Sequence, residues 1–251
     1  MAVTVISVGL GLLAGTLIGA AGIGGVILVP ALVYFAEVPV HAAISAATMS
    51  FILTGLIGTL FYARANSIRW DMAGWLSAGA IPAALMGAFT ANLVPAIQLE
   101  TVIGLLSVLS GLYTLFVGRE PQGSGDQPIS NGNLGLVGAI TGFTSALTGT
   151  GGPFLLVPIL MWLDCPVLIA IGLSQVIQLP ISLLATAGNF YNGNLNLGLG
   201  ALLALGIPLG SWGGTKFAHL IPRPALRRLV SLLMISVGVL VFGKLAFQTH
   251  L

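Results

Sequence analysis

Charge is the scarcest property of this chain. Asp, Glu, Lys and Arg make up 6% of its 251 residues, against about 25% in a soluble domain. Residues 1–36, 72–99, 127–163 and 165–215 contain none of them. With 57% apolar residues, the chain reads as an integral membrane protein. Cysteine is nearly absent, and Cys165 alone excludes an internal disulfide and a Cys-rich metal site. The strict alternation of a membrane β-barrel is also missing. No acidic or basic side chain falls deep in an apolar segment, which argues against a relay of buried carboxylates. Lys216 comes nearest, close enough to a helix end to snorkel, and His41 and His219 lie near segment ends as interfacial residues. The net charge of +2 resides in short loops and carries no nucleic-acid signal. The N-terminus MAVTVISVGL lacks a basic region before its apolar run, so the first segment is expected to be retained rather than cleaved.

Glycine, by contrast, is abundant, with 35 residues, and the glycines repeat at a spacing of 127. Gly11, Gly15, Gly22, Gly24 and Gly25 map onto Gly138, Gly142, Gly149, Gly151 and Gly152, and Pro95 onto Pro222. Two repeats follow, residues 1–118 and 133–251, joined by a polar linker at 119–132 that is expected to be cytoplasmic. Each repeat reads as about five helical segments, eight to ten in all: 3–20, 24–36, 40–62, 71–93 and 99–117, then 133–147, 151–163, 167–188, 197–219 and 226–246. The second segment of each is short, and parity leaves open a full span or a re-entrant hairpin. Lys and Arg mark cytoplasmic loops. Arg64 and Arg69 lie between segments three and four of the first repeat, whereas Arg223, Arg227 and Arg228 lie between segments four and five of the second. Corresponding loops therefore face opposite sides, and the repeats are expected to be inverted. Small residues at four-residue steps, Gly11, Gly15 and Gly19 with Gly138, Gly142 and Ala146, read as helix-packing surfaces.

Two glycine-rich breaks interrupt the apolar sequence, AAGIGGVILVP at 20–30 and TGTGGPFLLVP at 148–158. A broken helix in lipid leaves N–H and C=O groups without partners, at several kcal/mol each, unless protein buries the break or the break lines a wet cavity. Two readings are open here, a tight membrane turn and an anion site built on free helix-end N–H groups. A phosphate-binding loop is unsupported, because no Gly-Lys-Ser/Thr follows. Nearby, AIGLSQVIQLPIS at 170–182 places Ser174, Gln178 and Ser182 on one helix face with Gln175 beside them, and AISAATMSF at 43–51 offers Ser45, Thr48 and Ser50. Such uncharged polar groups either bond between helices or line a pathway.

GIGGVILVPAL and GTGGPFLLVPIL, each followed by A-I-x-x-S/A, together with AIGLSQVIQLP, resemble the TauE/SafE sulfite exporter family, also called the four-toluene sulfonate uptake permease family. The resemblance covers essentially the whole chain. One departure is Val26, where a further glycine is common, and Pro153 in the matching column, so the two breaks differ in backbone freedom. The resemblance implies secondary transport of sulfite, sulfoacetate or other organosulfonates by alternating access, in a multi-pass protein of the cell inner (plasma) membrane. An anion channel with the same lining is the alternative, and a membrane-embedded enzyme lacks a nucleophile–base pair or a metal motif. For an anion so implied, the deep segments offer no cation. The expected donors are then Gly22, Gly24, Gly25, Ser45, Thr48, Gly149, Thr150, Gly151, Gly152, Ser174, Gln175 and Gln178. The expected partners are a small anion and the lipid bilayer, with no nucleic acid, cofactor or metal. A coupling proton or sodium ion and a homodimer remain open.

Overall fold

The computed structural model describes residues 2–21, 25–116, 129–218 and 223–248, and among them it is entirely helical. The helices are α1 (Ala2–Ala21), α2 (Gly25–Phe35), α3 (Val40–Arg64), α4 (Trp70–Leu93), α5 (Ala96–Phe116), α6 (Asn131–Thr148), α7 (Pro153–Trp162), α8 (Val167–Tyr191), α9 (Leu197–Ala218) and α10 (Arg223–Gln248). Among the described residues, α3, α4, α5 and α8 are long and apolar enough to cross a bilayer. The short second segment of each half is a helix of its own, 11 residues in α2 and 10 in α7. Most of the linker lies outside the described residues, as does His219.

Local chemistry explains the boundaries. Glu37 and Asp164, 127 residues apart, take left-handed φ angles of 53° and 58° after α2 and α7. Two residues later Pro39 and Pro166, at φ −54° and −56°, start α3 and α8. Proline suits a helix start, where its missing N–H is no loss. Ser130 caps α6 by accepting from the Asn133 N–H at 3.3 Å.

The close approaches follow the same 127-residue register. Gly11 on α1 faces Leu203 on α9, and Gly138 on α6 faces Leu76 on α4. Gly15 packs on the Ile207 backbone, and Gly142 on that of Ala80. A methyl group on Gly142 would lie 2.8 Å from the Ala80 Cα, so these glycines let the helices touch backbone to backbone, the packing role their spacing suggests. On α5 and α10, Gly238 faces the Gly104 carbonyl and Val108, while Gly111 faces the Ser231 carbonyl and Ile235.

The hydrophobic cores do not coincide with the halves of the sequence. One joins α4 to α6, α7 and α8 through Leu76, Ala80 and Ala84 against Leu156, Leu173 and Ile177. The other joins α9 to α1, α2 and α3 through Leu199, Leu203 and Ile207 against Leu28, Leu32 and Ile44. Each half thus lends its fourth helix to the other half's core. Between the two cores α3 and α8 pack antiparallel, with Ser45 beside Asn194, Thr48 beside Asn189, Gly55 beside Leu179 and Gly58 beside Gln175.

Candidate functional site

The second break is a braced turn between two helices. Gly149 ends α6 in the left-handed region, φ 66°, and its N–H donates to the Ser145 carbonyl at 2.9 Å. Gly151 is also left-handed, φ 78°. The Ser145 hydroxyl donates to the Gly151 carbonyl at 3.0 Å, and the Thr148 and Thr150 hydroxyls share a hydrogen bond of 2.9 Å. Pro153 then opens α7. The backbone N–H groups of Gly151, Gly152, Phe154 and Leu155 make no hydrogen bond to another described residue. All except Leu155 belong to buried residues. Buried, unpaired N–H groups are rare because each carries a desolvation penalty. Here four consecutive donors, interrupted only by Pro153, lie at the positive end of a helix.

The two breaks meet. Gly25 packs directly on the Thr150 carbonyl, so closely that any side chain at 25 would overlap it. The Phe51 ring of α3 touches both Gly25 and Gly151. From the other side α8 supports the turn: a methyl group on Gly152 would lie 3.5 Å from the Ser174 carbonyl and 3.7 Å from the Gln178 Cα. The Gln178 amide reaches across to the Phe51 carbonyl, its Nε2 donating at 3.4 Å. Gly22 and Gly24 lie outside the described residues.

The remaining polar residues divide. The Ser174 hydroxyl turns back onto its own helix, donating to the Ile171 carbonyl at 2.7 Å. The Gln175 amide lies against Gly58, and it makes no hydrogen bond to another described residue. Because α3 and α8 are antiparallel, Thr48 sits toward the opposite end of the pair from Gln175. There Ser45 donates to the Asn194 carbonyl at 2.9 Å and Thr48 to the Ser45 carbonyl at 2.9 Å. Three asparagines missing from the expected site complete this cluster. The Asn92 amide donates to the Asn189 side-chain Oδ1 at 3.2 Å, the Asn189 amide to the Thr48 hydroxyl at 3.5 Å, and the Asn194 amide bonds to the Asn92 side chain. Their signal was available, since Asn92 and Asn189 stand near the ends of uncharged apolar segments. The cluster ties α3, α4 and α8 to the α8–α9 loop.

Charged chemistry lies elsewhere. A cleft of about 110 Å³ is lined by Arg69, Asp71, Asp164 and Cys165. Arg69 pairs with Asp71 at 3.2 Å, and burial pushes the Cys165 thiol above its usual range. Near the ends of α2, α5 and α10, Tyr34 donates to Glu100 at 2.8 Å and the Lys244 ammonium lies 4.4 Å from the Tyr34 ring centre. Among the described residues no three His, Cys, Asp or Glu side chains gather as a metal site.

Residues 7–241 match the family model described as "Sulfite exporter TauE/SafE". Three relatives from Bacillus subtilis (strain 168), each named a probable membrane transporter protein, align along nearly their full length. YunE is 26% identical over 97% of both chains. YdhB is 24% identical over 92% of this chain and 95% of its own. YjnA is 27% identical over 90% and 95%. No solved structure matches. With a family match spanning nearly every helix, and with its apolar helices and paired glycine breaks, the chain is a membrane protein and belongs to the sulfite exporter TauE/SafE family of membrane transporters.

Proposed function

We propose that this protein is a secondary transporter that carries small sulfur-containing anions, sulfite, sulfoacetate or related organosulfonates, across the cell inner (plasma) membrane by alternating access. The observation that carries this reading is the row of unpaired N–H groups at the start of α7, held against the first break at Gly25. Donors without partners in an apolar interior suit a guest that brings acceptors, and a helix N-terminus favours a negative one. Pairing would strengthen each bond, because hydrogen bonds to charged groups contribute about 1.5–3 kcal/mol. Gln178, whose Cα would lie 3.7 Å from a methyl group on Gly152, supplies a polar side chain nearby.

The inverted-repeat reading has support in the packing. Equivalent helices α3 and α8 run antiparallel, as do α5 and α10, and the glycine contacts of α5 with α10, and of α1 with α9 and α6 with α4, repeat under a 127-residue shift. A two-fold axis in the membrane plane produces that arrangement, and an axis along the membrane normal does not. The bodies that rock would then be the two hydrophobic cores, each containing one helix of the opposite half, rather than residues 1–118 and 133–251. The closed packing at the breaks favours a carrier over an open pore.

Flux in proteoliposomes tests the proposal, with sulfite, sulfoacetate, taurine and thiosulfate compared under imposed pH and sodium gradients. Saturable flux that responds to one gradient supports it. Unsaturable conductance would favour the channel, and an absence of flux for every anion would remove the reading.

A further inference from the structure

The Phe51 side chain lies against both Gly25 and Gly151. Phe51 is 2% exposed and among the largest fully buried side chains among the described residues. Its Cζ lies 3.1 Å from the place a methyl group on Gly25 would take, and its Cδ2 and Cε2 lie 3.3 Å from that place on Gly151. The ring therefore wedges between two stretches of bare backbone, one from each half. A hydrocarbon ring offers an oxyanion no hydrogen bond, and the negative face of its π-system repels one. It lies against Gly151, whose N–H is among the unpaired donors. The residue in the matching position of the second half is Gln178, whose amide holds the Phe51 carbonyl at 3.4 Å. That bond tethers the Phe51 backbone and leaves the ring itself without a hydrogen-bonding partner.

We propose that Phe51 is the occluding and size-selecting residue of the site. In the closed arrangement its ring stands over the donors of the second break. An anion reaches them when the ring swings aside, and the room the ring vacates sets how large an organic portion is admitted. This rests on the anion-transport reading above, since without a substrate at the breaks the ring would be ordinary core.

The test is flux of linear alkanesulfonates, from methanesulfonate to pentanesulfonate, through proteoliposomes of wild type, Phe51→Ala, Phe51→Leu and Phe51→Trp. A pocket wall that gains or loses even one methylene changes selectivity by about ten-fold or more. The expected result is a rise of at least about ten-fold in the pentanesulfonate-to-methanesulfonate ratio for Phe51→Ala, a smaller rise for Phe51→Leu and a fall for Phe51→Trp. Phe51→Leu retains most of the apolar bulk and serves where the alanine variant does not fold. A second readout is Phe51→Cys in a Cys165→Ser background, whose thiol should be modified by a small methanethiosulfonate more slowly when a transported anion is present. Wild-type flux with an unchanged chain-length profile in Ala and Leu variants, or thiol modification indifferent to the anion, would overturn the assignment of Phe51 alone. Absence of wild-type flux for every anion would overturn the transport reading with it.

Discussion

Single glycines carry opposite burdens in this molecule. Gly149 occupies a left-handed φ of 66° with the Ile44 Cα 3.0 Å from its missing Cβ position, whereas Gly9 has open space around that position in α1. A side chain in the left-handed region costs about 1–2 kcal/mol before any clash. In a helix interior the change from glycine to alanine gains about 0.5–1 kcal/mol. Gly149→Ala should therefore lower the thermal unfolding midpoint in detergent, and Gly9→Ala should leave it level or raise it. Gln178 tests function at the same scale. Gln178→Leu keeps the bulk and removes the amide, so loss of one charge-assisted bond of about 1.5–3 kcal/mol should weaken anion binding by roughly ten-fold to a hundred-fold. Ser174→Ala should have a smaller effect than Gln178→Leu, because that hydroxyl is already held by the Ile171 carbonyl at 2.7 Å. Anion affinity measured on the two purified variants checks the order.

Among the elements, the helices were readable from apolar run length, with ends displaced by only a few residues. Charge-free stretches too long for one span had to fold back, and Gly, Pro and Asn supplied the turns. The break at 149–152 was readable too, because glycine clustered with proline has few other uses in an apolar interior. Phe51 escaped notice because a phenylalanine in an apolar helix has no local mark that separates plug from core. The asparagine cluster escaped for a different reason. Asn92, Asn189 and Asn194 come from different elements, and the packing of α4 on the end of α8 unites them, with Asn189 linking on to Thr48 of α3. That cluster makes its own prediction. Polar pairs between membrane helices are worth on average about 0.6 and at most about 1.7 kcal/mol. Asn189→Leu, which unlinks Asn92 from Thr48, should lower stability within that range, as read from unfolding in detergent–denaturant mixtures. A loss near zero would make the cluster incidental to closing that end of the pair.

For the whole molecule, the repeat register predicted equivalence of the halves but not their interchange. Sequence spacing ties Gly11 to Gly138. It gives no hint that α9 completes the core of α1–α3 while α4 completes that of α6–α8, because partner choice depends on which faces meet in space. Orientation is testable independently of transport. In a Cys165→Ser background, Ala65→Cys in the α3–α4 turn and Asn192→Cys in the α8–α9 turn occupy corresponding places in the two halves. Impermeant thiol reagents added to intact cells should label position 192 and not position 65. Labelling of both from one side would mean parallel repeats.

The central claim is that an anion is held where the breaks cross. The most direct measurement is a structure of the protein with a transported sulfonate or its selenium analogue bound. The account predicts density beside Gly25, within hydrogen-bond reach of the Gly151, Gly152 and Phe154 N–H groups, with the Phe51 ring displaced. Anion density confined to the Arg69 cleft, with Phe51 still wedged between Gly25 and Gly151, would contradict it.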